Sequence, residues 1–347
     1  MIQSGEIMIE LSRPWHRAIA TLGLLLVFVV CGPSRTDAQS CQTSGDLDAA
    51  SRSAIDAAAQ RYFGMAAKDD ATSLRQNSIA SLVSDFSGIE TTIKDNQQNL
   101  AGAQAVERSL FLLDATGSST LPHAEFYCGV FGKNGQTPGS AVFYLDNLPP
   151  GKYAVVALSA SSAQGQTNFS VILQQAGSDW KLGGLYIQPA EVAGHDSAWF
   201  AARALDYKTK GQLRNAWLYY REARNLISPL PFMSTLDTDK LYDESKGVQP
   251  SDVPANGNAA DLAAAGTTYK LIALFPAAVG NDVDLVVKYQ AADISNTGQT
   301  YQTNLAVIRA LLTKYPELRD AFAGVVARAV ETSGRDYGTL LSMKDAK

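Results

Sequence analysis

Few residues of this sequence could do metal or acid–base chemistry. Apart from His16 near the N-terminus, the chain contains two histidines, His123 and His195. Zinc sites combine His and Cys ligands at short, regular spacings, and neither histidine has a second His or a Cys at such a spacing. A metal site would need ligands from distant segments, so we predict no metal and no cofactor.

Motifs for nucleophilic catalysis and phosphate binding are also missing. The chain has no Gly-x-Ser-x-Gly sequence, which would expose a catalytic serine at a sharp turn. The glycine-rich run GKNGQTPGS lacks the Lys followed by Ser or Thr of a phosphate-binding loop. After Asp237 and Asp239, Lys240 and Leu241 stand where a calcium loop needs a glycine and further oxygen ligands. We therefore predict no catalytic residue, with hydrolysis through Cys128 or His195 as the weakest alternative.

The first 38 residues have the layout of a secretory signal. Arg13 and Arg17 precede an apolar run over 18–31, and a polar segment over 32–38 follows. The apolar run of about 14 residues is shorter than the roughly 20 that a membrane-spanning helix needs. We predict a signal peptide over residues 1–38, a periplasmic or secreted location, and contact with the membrane only through this segment.

The end of the signal and the charge that remains can also be predicted. Thr36 and Ala38 supply the small residues that a signal peptidase reads, which places the cut between Ala38 and Gln39. Lipidation of Cys31 is the alternative, and Met8 is an alternative start. Removing the signal takes away three basic and three acidic residues, so the net charge stays at -5. This acidic balance argues against nucleic acid and anionic membrane surfaces as partners, because both require clustered Lys and Arg.

Two cysteines follow the signal, Cys41 and Cys128. In an oxidising compartment they could form one disulfide between the N-terminal end of the mature chain and a strand. The sequence leaves open whether their Cα atoms come within the roughly 7 Å that a disulfide requires. A buried, inert thiol is the alternative for Cys128.

The chain changes from helical to strand patterns near residue 117. Over 46–114 apolar residues recur at spacings of three and four without a proline, and Ala103–Leu113 is predicted as the last helix of this part. Short β-rich runs then alternate with turn residues, which predicts strands over 126–131, 140–145, 152–159, 168–174 and 180–187. Gly183 and Gly184 interrupt the last of these runs, which predicts a bulge there. Short connections favour antiparallel pairing, so the predicted fold class is α+β.

Helices followed by a curved antiparallel sheet that ends in GSDWKLGGLYIQP resemble the cystatin-like or NTF2-like α+β cone fold. The resemblance covers residues 46–189 and implies a sheet with a concave face. This class includes enzymes and binding domains, so the resemblance does not decide the activity. A small apolar ligand held on the concave face is one function that it allows.

Residues 195–229 have the pattern of two short helices folded against each other. Small and large residues follow in an order and spacing that resembles one tetratricopeptide unit: Ala204, Tyr207, Gly211, Ala216, Tyr220, Ala223 and Pro229. A single unit of this kind cannot bury its own apolar face. We therefore predict that neighbouring parts of the chain, or another protein, cover the hairpin.

The aromatic residues of this hairpin are the candidate binding residues, namely Trp199, Tyr207, Trp217, Tyr219 and Tyr220. Helical spacing favours burial of Tyr207, Trp217 and Tyr220. Trp199 and Tyr219, on the opposite face, could instead form an anchor for a partner. Asp196, just before the first helix, is predicted as its N-cap.

The chain after the hairpin divides into two parts. Residues 230–266 contain three prolines and a run of small and polar residues, which predicts a linker. Residues 267–343 are predicted to form a ββαα domain, with strands over 268–275 and 283–289. Of its two helices, the second begins at Pro316 and ends near Gly334.

Together these features favour an exported, non-enzymatic binding or scaffolding protein of the cell envelope, with another protein as its partner. The composition as a whole resembles that of exported proteins of environmental bacteria. The alternative is a carrier of a small apolar ligand that uses the concave face of the N-terminal sheet.

Overall fold

The computed structural model describes residues 39–130 and 135–346. The predicted signal peptide and the alternatives at Cys31 and Met8 lie outside the described residues. The described chain combines helices with mainly antiparallel sheets, which confirms the α+β class. Each helix within these ranges is too short or too polar to span a bilayer.

The N-terminal part begins with a short strand and a group of helices. The strand is β1 Ser40–Thr43, and the helices are α1 Ala49–Ala67, α2 Ala71–Gln76, α3 Ala80–Ser84 and α4 Ser87–Leu100. The carboxylate of Asp48 accepts hydrogen bonds from the amides of Ala50 and Ser51 at 3.0 and 2.9 Å, which fixes the start of α1.

Six further strands follow these helices and form two sheets. They are β2 Gln104–Ala115, β3 Leu121–Cys128, β4 Ala141–Leu148, β5 Gly151–Ser162, β6 Gly165–Ala176 and β7 Asp179–Pro189. The larger sheet is antiparallel with strand order β1-β2-β5-β6-β7. The register between β6 and β7 shifts at Gly183, which has no partner residue in β6. This confirms the bulge that the two adjacent glycines predict.

The prediction of a helix over Ala103–Leu113 is wrong, because this segment is strand β2. Its apolar residues are needed on both faces of the larger sheet. Leu110 packs with the helices on one face, whereas Phe111 and Leu113 pack with β3 and β4 on the other. A continuous apolar run is typical of a strand buried on both faces, and a short one is difficult to distinguish from a helix by periodicity.

The N-terminal part therefore has three layers, which are the helices, the larger sheet and a smaller sheet. The helix side of the larger sheet is filled by side chains such as Tyr62, Phe63, Phe169 and Leu182. The smaller sheet has the order β10-β4-β3, where β10 is Met233–Thr235 from a later part of the chain.

The helical hairpin follows two short strands, β8 Glu191–Val192 and β9 His195–Asp196. Its helices are α5 Ser197–Thr209 and α6 Leu213–Ile227, as predicted. The carboxylate of Asp196 accepts a hydrogen bond from the amide of Trp199 at 2.9 Å, which confirms Asp196 as the N-cap.

The segment 230–266 is not the unstructured linker that its composition predicts. It contains β10, helix α7 Leu236–Gly247 and strand β11 Ala260–Ala264. A capping box between Thr235 and Thr238 begins α7. Leu230 and Val253 are buried in two different clusters, so packing against distant segments outweighs the local Pro-rich composition.

The C-terminal part is a five-stranded sheet with one long helix. After β11 come β12 Thr267–Val279, β13 Asp282–Gln290, α8 Thr297–Lys314, a 3-10 helix Pro316–Asp320, β14 Gly324–Val330 and β15 Asp336–Ser342. The strand order is β11-β12-β13-β14-β15, and β13 and β14 are parallel. The hairpin β12–β13 and helix α8 confirm the corresponding predictions.

The predicted second helix from Pro316 to Gly334 is wrong. Only Pro316–Asp320 is helical, and the β-branched run that follows is β14, buried beside β13. Val325, Val326 and Val330 favour an extended backbone, and the partner strand lies about forty residues earlier in the chain. The pairing that decides this segment is therefore non-local.

Candidate binding surface

The aromatic side chains of the helical hairpin are mostly buried in the core and do not form an open surface. Tyr207, Trp217, Tyr219 and Tyr220 are 7, 3, 1 and 4% exposed. They belong to one hydrophobic cluster that also contains residues of β12, β13, β14 and α8. This confirms the prediction that neighbouring parts of the same chain cover the hairpin.

Tyr219 lies at the centre of this contact. Its ring packs edge-on against Tyr207 at 5.2 Å between centroids, and it also contacts Phe200 and Phe322. Its hydroxyl donates a hydrogen bond to the carbonyl of Ala321 at 2.5 Å, and burial raises its pKa. The prediction that Tyr219 presents an anchor surface is therefore wrong, because its aromatic face and its polar tip are both used inside the molecule.

Two further side chains of the hairpin bind backbone carbonyls of the 3-10 helix. The hydroxyl of Tyr207 donates to Asp320 O at 3.0 Å, and Nδ2 of Asn215 donates to Glu317 O at 2.6 Å. Asn215 is fully buried, and an unpaired backbone carbonyl in such a place would cost about 1–3 kcal/mol. The hairpin therefore fixes the chain that leads into β14.

Trp199 is the one predicted binding residue of the five that is only half-buried. Its ring stacks on His195 at 3.8 Å with an angle of 7° between the planes, and the guanidinium of Arg203 lies 5.5 Å from its centroid. The indole therefore already has an aromatic and a cationic neighbour within the chain.

Glu222, on the same helix α6, is a buried carboxylate that sequence reasoning did not identify. It is 7% exposed, and burial raises its pKa to about 7. The side chains one helical turn before and after it, Leu218 and Leu226, are each 2% exposed. This environment disfavours the ionised form.

We predict that this carboxylate makes the protein less stable as the pH rises through the window from about 4.5 to about 7. The unfolded chain loses the proton of Glu222 near the lower pH, whereas the folded chain keeps it to the higher one. The free energy of unfolding then falls by up to about 3 kcal/mol across the window. Denaturant titrations between pH 4 and pH 8 measure this. Glu222→Gln should remove this part of the pH dependence. The control Glu90→Gln, on the exposed side of α4, should keep it. If the free energy of unfolding of Glu222→Gln depended on pH as that of the wild type does, Glu222 would not be the group responsible.

Cys41 and Cys128 form the disulfide that the sequence left open, with 5.0 Å between their Cα atoms. The bond joins β1 of the larger sheet to the end of β3 in the smaller sheet. It thus holds together the two sheets at the point where Gln39 also receives a hydrogen bond from the amide of Glu125 at 3.0 Å.

Two regions bear on ligand binding. The helix-covered face of the N-terminal sheet is filled with core side chains, including Phe63, Phe169 and Trp180, which argues against an apolar carrier that uses this face. A polar cleft of about 410 Å³ lies beside β11. Its charged groups already have partners, since Lys270 pairs with Asp261 at 2.6 Å and Asp252 pairs with Arg214 at 2.6 Å.

Among the described residues, the most exposed cluster of aromatic side chains lies on the outer face of the smaller sheet. Tyr127 on β3 and Tyr144 on β4 are 53 and 52% exposed. Residues on this face alternate with Ala124, Phe126 and Phe143, which are buried against the larger sheet. We call this face the tyrosine patch and define it by His123, Glu125, Tyr127, Val142, Tyr144 and Asp146.

Strand register brings the polar groups of the tyrosine patch together. Glu125 lies opposite Tyr144, and His123 lies opposite Asp146. The hydroxyl of Tyr127 donates to the Glu125 carboxylate at 2.5 Å, and this hydrogen bond is the largest cause that raises the pKa of Tyr127 to about 12. Tyr127 therefore stays a neutral hydrogen-bonding group at physiological pH.

His123 lies in strand β3, directly after Pro122. Its Nδ1 is 2.7 Å from Oδ1 of Asp146, and both side chains are mostly exposed. No hydroxyl or thiol of the described residues hydrogen-bonds to this imidazole. The pair therefore lacks the nucleophile that a catalytic triad needs.

The patch is acidic and rigid. The described residues of β3, β4 and β10 include Glu125 and Asp146 but no Lys or Arg. The disulfide of Cys128, next to Tyr127, anchors one end of β3. Exposed tyrosines on a fixed backbone lose little conformational freedom on binding, which is why they are common in interfaces.

Alternation of exposed and buried residues in HAEFYC could have revealed part of this patch. The strand predictions over 126–131 and 140–145 include both tyrosines, but they do not give the register that places Tyr144 opposite Glu125. The patch therefore needed the tertiary structure.

No group of three or more His, Cys, Asp or Glu side chains in the described part of the chain is arranged to hold a metal ion. Comparisons of the chain with protein-family models, curated proteins and solved structures find no match. The resemblances to a tetratricopeptide unit and to the NTF2-like or cystatin-like fold therefore stay predictions.

Proposed function

We propose that this protein is an exported, non-enzymatic binding protein that holds a partner protein through the tyrosine patch. The observation that carries the proposal is the pair of tyrosines, Tyr127 and Tyr144, each more than half exposed on a sheet face. Tyrosine and arginine are enriched in protein interfaces, and a few such residues supply most of the binding energy.

The chemistry of the patch favours a partner segment that contains arginine. A guanidinium can stack on a tyrosine ring and form paired hydrogen bonds with a carboxylate. Tyr127, Tyr144, Glu125 and Asp146 offer both kinds of contact side by side. Because the carboxylates are exposed, such binding should weaken as the salt concentration rises.

Export is supported by the disulfide, since such bonds persist in oxidising compartments. The signal-like composition of residues 1–38 points the same way. We therefore propose a location in the periplasm or outside the cell, where the partner would also be found.

We predict that the double variant Tyr127→Ser/Tyr144→Ser loses most of its affinity for the partner. Removing two exposed anchor rings should raise Kd by about thirtyfold or more, which corresponds to about 2 kcal/mol. The partner is first captured from an extract of exported proteins with the immobilised wild type, then purified and titrated against both proteins by calorimetry at low and high salt.

Tyr301→Ser is the matched control, because Tyr301 is 42% exposed but lies on α8, away from the patch. The control should bind as the wild type does. Equal affinity of the double variant and the control would refute the tyrosine patch as the binding surface.

A further inference from the structure

Among the described residues, core packing covers one of the two faces of the C-terminal sheet. On one face Leu285, Val287 and Ala327 belong to the cluster that includes Ile308 and Leu311 of α8. Successive residues of a strand point to opposite faces, so residues 284, 286 and 288 of β13 point away from α8. We call this second face the open face.

An unbroken apolar row crosses the open face. Strand register aligns Phe275 with Val286, Val286 with Val326, and Val326 with Leu340, over four neighbouring strands. Leu340 is 50% exposed, Phe275 and Val326 are half-buried, and Val286 between them is 6% exposed. None of the hydrophobic clusters of the described residues contains any of these four side chains. A contiguous apolar row of this kind is typical of an interaction surface.

Opposite charges flank the apolar row on its two sides. Along β13 the open face presents Asp282 and Asp284 on one side of Val286 and Lys288 on the other. Neither Asp284 nor Lys288 forms an ion pair with another described residue, although the ammonium of Lys288 lies 5.6 Å from the centroid of Phe275. Asp284 is only 3% exposed, and burial next to Asp282 raises its pKa. A cation brought to this carboxylate would therefore relieve an unfavourable environment.

We propose that the open face binds a second copy of this chain in a symmetric dimer. A two-fold axis along the apolar row places each Val286 opposite its equivalent. The same rotation exchanges the two sides of the row, so Lys288 of each chain comes opposite Asp284 of the other. A face that carries an apolar centre with opposite charges at equal distances is complementary to itself.

Such a dimer would be a sandwich of two sheets, which pack with about 10 Å between them. Long side chains such as Lys288 can extend across that distance at the edge of the apolar row. The dimer does not depend on the proposed function, because the tyrosine patch lies on a different sheet. It would give the assembly two patches and therefore the possibility of bivalent binding.

Sedimentation velocity of the purified wild-type protein at concentrations up to about 100 µM tests the proposal. We expect a species of twice the mass of one chain. Leu340→Glu should give monomers because it puts a charge in the apolar row, whereas Val106→Glu should leave the dimer intact. Val106 is 67% exposed but lies on β2 of the larger N-terminal sheet and not on the C-terminal sheet.

A charge exchange tests the predicted axis itself. Lys288→Glu and Asp284→Lys should each raise the dimer Kd by about tenfold or more, since each places like charges opposite one another. An equal mixture of the two variants should recover the dimer, because both contacts are then between opposite charges. Circular dichroism checks that each variant is folded. If Asp284→Lys does not fold, the salt dependence of the wild-type dimer and the result for Leu340→Glu decide the question.

A monomeric wild type, a dimer that persists in Leu340→Glu, or a dimer that Val106→Glu abolishes would each overturn the proposal. A different protein found on the open face of a monomer would do so as well. A dimer sensitive to Leu340→Glu but not restored in the mixture would overturn the two-fold axis described above.

Discussion

Replacing Tyr219 by alanine is expected to lower the free energy of unfolding by about 3–5 kcal/mol, the range found for large aromatic residues removed from a core. The ring is 1% exposed and packs against Tyr207, Phe200 and Phe322, so its loss leaves a cavity between the hairpin and the C-terminal sheet. It also leaves the buried carbonyl of Ala321 without its hydrogen-bond donor. Denaturant unfolding followed by far-UV circular dichroism and tryptophan fluorescence measures the change.

Two companion variants separate the causes of this loss. Tyr219→Phe keeps the ring and removes only the hydroxyl, so it should cost about 1–3 kcal/mol. Tyr301→Ala removes an exposed ring from α8 and should change stability by less than about 0.5 kcal/mol. If Tyr219→Ala were no more costly than Tyr301→Ala, the hairpin would not be packed as described.

Removing the disulfide is expected to lower the free energy of unfolding by about 4 kcal/mol, because it closes a loop between cysteines 87 positions apart. The main effect is on the unfolded chain, whose conformational freedom the bond restricts. The folded variant should also release β1, which is four residues long and, within the described part of the chain, pairs with β2 alone. Denaturant unfolding of Cys41→Ala/Cys128→Ala against the oxidised wild type measures the loss, and hydrogen exchange locates it.

The wild type treated with a reductant is the control for the two alanine substitutions. It should show the same loss of stability, because it lacks the bond but keeps both side chains. Hydrogen exchange should rise at the amides of β1 and at Glu125, whose amide donates to Gln39. Unchanged stability after complete reduction would show that the bond does not restrict the unfolded chain.

The elements that were predicted correctly from the sequence are those whose signals lie within a few neighbouring residues. The two hairpin helices have the apolar spacing of a helix, and Asp196 stands where an N-cap is needed. The strands from β4 to β7 are separated by turn residues, and adjacent glycines at 183 and 184 mark the bulge. In each case a few neighbouring residues contain the whole signal.

The incorrect predictions concern segments whose conformation depends on distant partners. β2 pairs with β5 about fifty residues later, and β14 pairs in parallel with β13 about forty residues earlier. Short apolar runs such as Leu110–Leu113 fit a helix and a buried strand equally well until those partners are known. The predicted linker failed for the same reason, because β10 and β11 are three and five residues long and acquire their structure from β4 and β12.

The candidate surfaces also combine features that neighbouring residues indicate with features that depend on distant parts of the chain. Helical spacing indicated that Tyr207, Trp217 and Tyr220 are buried, but it could not show which segment covers Tyr219. Nothing near Tyr127 in the sequence shows that Tyr144 lies one strand away, since the register of β3 and β4 brings them together. The same is true of the row from Phe275 to Leu340, which belongs to four strands.

The sequence by itself determined the α+β class, the two-helix hairpin and its need for cover, most strands of the N-terminal sheets and a pair of cysteines available for a bond. These follow from periodicity, turn chemistry and composition, which act over a few residues. The tertiary structure alone decided that β2 and β14 are strands, that Tyr219 is enclosed, and that Tyr127 and Tyr144 share an exposed face. These depend on contacts between residues far apart in the chain, and such contacts form only when the whole chain folds.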